Sequence, residues 1–202
     1  LVILGHPAAD SLCAGLARAY AEGARQAGAN VRFLDVGQLA FDPVLRQGYR
    51  GAQPLEPDLL AAREHITWAH HLVWVYPIWW GAMPALLKGW VDRVYAYGFA
   101  YGVGEHSDTH WGDRFGEGML AGKRAMLVVT AGGWSSHYSP RGINGPIDDI
   151  LFPIQHGILF YPGFDVLPPH VIYRTSKIDD AGFAHACDEL GQRLDALWKT
   201  AP

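Results

Sequence analysis

HLVWVYPIWWGAMP, residues 71–84, is an apolar run that breaks into a loop holding a proline, two tryptophans and a glycine. In LVWVY, residues 72–76, no position alternates with a charged one, the pattern of a strand buried on both faces, as in a parallel sheet covered by helices. The loop that follows is odd. A loop at a strand end normally faces water, so Trp79 and Trp80 there imply something flat and apolar for their rings to cover. ALLKGWVDRVYAY, residues 85–97, then reads as a helix beginning just after Pro84, whose missing N–H costs the first turn nothing.

The same strand, loop and helix recur on either side. LVILG (1–5) reads as a strand and SLCAGLARAYAEGARQAG (11–28) as a helix, capped by Asp10 or Ser11 and stopped by Gly28. VRFLDV (31–36) and DLLAAREHITWAH (58–70) form the second pair, and KRAMLVVT (123–130) with IDDILFPIQHGIL (147–159) the fourth. FDVLPPHVIY (164–173) is a fifth strand broken by prolines, and a last helix is expected over residues 179–198. No repeat, low-complexity tract or linker divides these units, so residues 1–202 read as one α/β domain. Right-handed crossovers give a doubly wound parallel five-stranded sheet with helices on both faces, and 2-1-3-4-5 is the common order.

In such a sheet ligands bind beyond the carboxyl ends of the strands, near the switch point between strands one and three. Chemistry is therefore expected in GHPAADSLC (5–13), YPIWWGAMP (76–84) and TAGGWSSHYSPRGING (130–145). Composition narrows the ligand. The chain has 202 residues, half of them apolar and 18% charged, which excludes a disordered polymer. A net charge of −4 leaves no evident basic face, so small molecules rather than nucleic acid are the expected partners. Cys13 and Cys187 have no disulfide-framework or zinc spacing, which fits a reducing cytoplasm. No run of eighteen apolar residues exists, and residues 1–4 are too short for a signal-peptide core, so a soluble cytoplasmic protein without membrane insertion is expected. Leu1 falls inside a strand, so a few upstream residues are expected to be missing from this numbering.

Each loop has an ordinary reading beside a functional one. Asp10 or Ser11 caps a helix whose N-terminus suits a phosphate, with His6 as an added donor; the plain alternative is a cap and a polar loop residue. Pro77 and Gly81 shape a backbone whose amides can meet the polar edge of a ring beside Trp79 or Trp80, although either indole serves equally well in a core or a subunit interface. Gly132 and Gly133 let the backbone approach a ligand, and the Tyr138 hydroxyl can meet developing negative charge, against the reading of a plain surface loop. Other motifs fail. Gly122-Lys123-Arg124 lacks the remainder of a P-loop, and Gly102 and Gly104 follow a helix rather than a strand. His106, Asp108 and His110 lack a fourth metal ligand, and Ser136 and His137 are neighbours without a triad, so no metal is expected.

GHPxxxS near the start, PIWWGAMPALLKGWVDRV in the middle, and TAGG, YSPxG and ILFPIQHGIL later resemble the flavodoxin-like NAD(P)H quinone oxidoreductases. That is the DT-diaphorase group, which includes bacterial quinone reductases and ancillary proteins of glutathione-gated potassium efflux systems. The resemblance implies that His6, Asp10, Ser11, Leu12 and Cys13 line the phosphate and ribityl chain of FAD. It implies that Pro77, Ile78, Trp79, Trp80 and Gly81, with Thr130, Ala131, Gly132, Gly133 and Tyr138, face the isoalloxazine ring. Tyr101 resembles a tyrosine that reaches the quinone pocket from the partner subunit, so Trp80, Tyr101 and Tyr138 are expected to meet substrate in a homodimer with active sites at the interface.

Departures from the pattern matter too. Cys13 stands where many members have asparagine, and Asn144 replaces a histidine that helps Tyr138 handle charge; asparagine takes up no proton at neutral pH. Val103 replaces a second pocket tyrosine, and Phe183 and Cys187 replace polar residues near adenine, which leaves FMN open beside FAD. The expected activity is ping-pong transfer of a hydride from NAD(P)H to the flavin and then of two electrons to a quinone-like acceptor. The resemblance implies that Tyr138, Gly132, Gly133 and Asn144 hold the catalytic positions. A regulatory subunit of a potassium efflux transporter and a flavodoxin-type electron carrier are the rivals; Trp79, Trp80 and Tyr101 speak against an exposed-edge carrier.

Overall fold

Strand β3 (His71–Pro77) lies at the middle of the sheet, parallel to β1 (Val2–Leu4) on one side and to β4 (Arg124–Thr130) on the other. With β2 (Phe33–Asp35) beyond β1 and β5 (Asp165–Val166) beyond β4, the order is 2-1-3-4-5, the expected common order of such sheets. The computed structural model describes every residue except Ala52, Val103, Trp111, Thr200, Ala201 and Pro202, and only the backbone of Trp198 and Lys199. The expectation for Val103 thus lies outside the described residues.

Every β3 residue from Leu72 to Pro77 is buried, and the period of two divides them between two cores. Leu72, Trp74 and Tyr76 join the core under α2 (Pro57–Trp68), α3 (Ala85–Val94) and α4 (Ile147–Ile154). Val73 and Val75 join the core under α1 (Leu12–Gln26) and α5 (Asp180–Lys199). A strand with apolar side chains on both faces needs both layers, which is why the sheet is doubly wound. Cys13 and Cys187 are free thiols, and among the described residues no helix is long and apolar enough to cross a membrane.

The fifth strand is broken at its prolines, as the sequence predicts: β5 pairs with Arg124 and Ala125 at the start of β4, and β6 (His170–Ile172) pairs with Val128 to Thr130 at its end. Pro168 and Pro169 between them have no N–H to give the ladder. The helix before them differs from the expected single helix over residues 147–159, passing from α-helix at Ile154 to a π-helical stretch over Gln155–Phe160. Pro153 within α4 cannot donate one turn back, and the wider turns that follow accommodate the break.

Candidate functional site

The carboxyl ends of β1, β3, β4 and β6 open into a cavity of about 310 Å³. Its first wall is the start of α1. Ser11, not Asp10, is the cap: its Oγ accepts the Ala14 N–H at 3.2 Å. The N–H groups of Leu12 and Cys13 reach no backbone acceptor among the described residues, as the first turn of a helix dictates, and both residues line the cavity. No acidic side chain occupies that turn, so the helix dipole and two amides without backbone acceptors leave it able to receive an anion. His6 accepts the Ala8 N–H on Nδ1 at 2.9 Å and meets the Trp79 ring edge-on with centroids 5.2 Å apart. Asp10 is exposed and lines nothing here.

Cys13 joins this wall to the next. Its Sγ lies 3.4 Å from the Thr130 Oγ1, and both side chains are buried. Burial pushes the thiol pKa up to about 11 despite the opposing Thr130 hydrogen bond, so at neutral pH the thiol brings no negative charge into the seat.

The second wall follows β3. Trp79 and Ala82 exchange N–H···O bonds at 2.9 and 3.0 Å, closing a two-residue turn in which Trp80 has φ 51° and Gly81 φ 72°. Both central residues of such a turn need positive φ, which glycine accepts freely and a tryptophan only under strain. The turn separates the tandem indoles: Trp79 lines the cavity with Pro77 and Ile78, while Trp80 stands fully exposed outside it. Neither is a core residue. Ile78 is held by its N–H to the Thr130 carbonyl at 2.9 Å.

The third wall follows β4, where Gly132 and Gly133 are glycines for different reasons. A Cβ on Gly132 would meet nothing within 4 Å, and its N–H reaches no backbone acceptor among the described residues. A Cβ on Gly133 would lie 3.1 Å from the Tyr138 side chain and 3.3 Å from those of Asn144 and His137, so a side chain there would have to push these neighbours back by a few tenths of an ångström. Gly132 lines the cavity; Gly133, Tyr138 and Asn144 form a cluster beside it, with the Tyr138 ring 5.6 Å from that of Tyr173. Ala131 is buried behind the wall, its N–H bonded to the Ile172 carbonyl at 2.8 Å.

Tyr101 is elsewhere. It lines a separate cavity of about 440 Å³ beside α3, edge-on to Tyr97 at 5.9 Å and to Tyr161 at 5.7 Å. Burial, with the neighbouring Tyr49 and Tyr161, raises its hydroxyl pKa. The structure also adds two cavity residues that sequence reasoning missed, Thr175 and Ser176 beyond β6. The signal was a hydroxyl pair following a strand; the proline break obscured where that strand ends.

Residues 1–194 match the family described as flavodoxin-like fold. A Klebsiella pneumoniae protein of solved structure, put forward as a quinone reductase, is 51% identical with a TM-score of 0.86, over 100% of this chain and 85% of that one. The ribosyldihydronicotinamide dehydrogenase-like protein of Penicillium crustosum is 44% identical over 221 residues, spanning 100% of this chain and 82% of its own length. NAD(P)H dehydrogenase (quinone) 1 of Cavia porcellus is 31% identical over 98% of this chain and 74% of its own. Sheet order and cavity position agree with that match, and the chain belongs to the flavodoxin-like fold family.

Proposed function

We propose that the protein is a flavin-dependent NAD(P)H:quinone oxidoreductase, working in the cytoplasm as one domain over residues 1–202. One observation carries the reading. Leu12, Cys13 and Gly132, whose amides have no backbone acceptor among the described residues, line a single cavity together with the Trp79 indole, and a Cβ at Gly132 would meet only open space. That combination fits a flavin nucleotide, which needs a seat for an anion and an apolar, close-approach slot for a flat ring with a polar rim. The similarity to quinone reductases and NAD(P)H dehydrogenases supplies the substrate class.

When bound, the flavin accepts a hydride from NAD(P)H and gives two electrons to a quinone-like acceptor. The residues do the rest. Leu12 and Cys13 amides, with Ser11, hold the phosphate, and the neutral Cys13 thiol avoids repelling it. Pro77, Ile78 and Trp79 exclude water from one side of the slot. The Gly132 amide, with Tyr138 as a second donor from the cluster beside it, would stabilise negative charge on a bound ring. Asn144, whose N–H donates to the His137 carbonyl at 2.9 Å, fixes the turn that carries Tyr138 and relays no proton. Thr130, Ala131 and Gly133 hold that wall in place, and His6 orients Trp79.

Trp80 and Tyr101 contact the acceptor in a homodimer, each copy offering its exposed Trp80 and half-buried Tyr101 to the other's slot. FAD is the cofactor in this reading and FMN its alternative, because Phe183 packs on α1 at Gly15 and gives an adenine no polar partner there. The test is direct: with flavin bound, NADH or NADPH should bleach its visible absorbance and an added quinone should restore it. A flavin-loaded protein that neither nicotinamide bleaches contradicts the proposal.

A further inference from the structure

We propose that Thr175 and Ser176 complete the anion seat, their hydroxyls donating to phosphoryl oxygens of the flavin nucleotide; this rests on the flavin reading above. Both residues line the cavity that the α1 start also lines. Among the described residues, no hydrogen bond of either hydroxyl to protein is present, and the Ser176 N–H reaches no backbone acceptor. The segment bearing them is nevertheless fixed. The Ala131 N–H donates to the Ile172 carbonyl at 2.8 Å, the Arg174 N–H to the Gly133 carbonyl at 2.9 Å and the Thr175 N–H to the Ala131 carbonyl at 3.2 Å.

Arg174 adopts φ 58°, a left-handed conformation rare for a non-glycine residue, and so turns the chain into the Thr175–Lys177 turn. Donors held rigidly by main-chain bonds, with no protein partner of their own, are what a pre-organised ligand contact requires. No acidic side chain lines the cavity to compete for them. Phosphoryl oxygen is the acceptor this donor set fits: hydroxyls on one side, helix amides on the other.

The double variant Thr175→Val, Ser176→Ala removes both hydroxyls and keeps the main-chain bonds. Titration of the apoprotein with riboflavin, FMN and FAD reads the effect. FMN or FAD should bind at least about ten-fold more weakly, the loss of a hydrogen bond to a charged group, while riboflavin changes less than about two-fold. Loss for both nucleotides places the contact at their shared phosphate, and loss for FAD alone at its second phosphate. Thr175→Ser should restore most of the affinity, and the apo melting temperature should stay at the parent's value. Unchanged nucleotide affinity, or an equal loss for riboflavin, overturns this assignment alone. Failure of the parent to bind any flavin overturns the flavin reading and this with it.

Discussion

Trp74 and Trp80 lie six residues apart in one apolar run and have opposite fates. Trp74 is fully buried, edge-on to Trp90 at 5.6 Å and to Tyr95 at 6.0 Å, while Trp80 is fully exposed at φ 51°. Hydrophobicity is the same in both; backbone geometry decides. Strand alternation sends Trp74 into the core beneath α2 and α3, and a two-residue turn throws Trp80 outward. The buried cluster is held by packing: among the described residues, the Nε1 atoms of Trp74 and Trp90 and the Tyr95 hydroxyl have no hydrogen-bond partner. The exposed indole buries no surface in return for its strained backbone, which is the observation behind the binding role proposed for it.

The contrast can be broken most easily from inside. Trp74→Ala should cost about 3–5 kcal/mol of stability by chemical denaturation, the cost of a large core truncation. A loss under about 1 kcal/mol would mean that the indole is not packed as described.

His71, at the other end of β3, sharpens the difference between interior and rim. Burial above all lowers its pKa to about 4, and its Nε2 lies 3.2 Å from the Tyr20 hydroxyl. The folded state therefore keeps the ring neutral while the unfolded chain protonates near pH 6.5. Stability attributable to this group is intact above that pH and falls as pH drops towards 4, by at most about 3 kcal/mol. His71→Gln should flatten the slope of unfolding free energy between those pH values; an unaltered slope assigns it to other groups.

At the rim the effects are functional before they are structural. Tyr138→Phe should slow flavin reduction by roughly 3-fold to 100-fold in stopped flow, about one strong hydrogen bond. An unchanged rate removes the hydroxyl from catalysis. Ser11→Ala should cost about 1 kcal/mol of stability through the lost cap and lower flavin retention. Trp80→Gly should have the smallest effect on stability, between no change and a gain of about 1 kcal/mol, since relief of left-handed strain offsets added chain entropy. Its turnover with quinone should fall. A stability loss like that of Trp74→Ala would erase the contrast.

Sheet order and the three strand-end loops were legible because buried strands and helical periodicity are local patterns; LVWVY and the helix from Leu12 declare themselves. The capped start of α1 was legible for the same reason. What remained hidden depends on the sign of φ or on pairing between distant segments. Nothing in the letters WWG says that Trp80 takes the left-handed position and Trp79 the slot. Gly132 and Gly133 look alike until Tyr138 and Asn144 are seen to crowd only the second. Thr175 and Ser176 reach the cavity only because β6 resumes pairing with β4 after the proline break. Tyr101 lines a different cavity of the same chain, a separation that spacing along the sequence does not encode.

The central claim is that a flat ring lies against the backbone at Gly132, and Gly132→Ala tests it most directly through flavin affinity. The added methyl meets no protein atom within 4 Å, so the apoprotein should be as stable as its parent or slightly more so. Fluorescence titration should then show FAD and FMN binding about 10-fold to 100-fold more weakly than to the parent, the cost of overpacking a close contact. Equal affinity in the two proteins would contradict the placement of the ring.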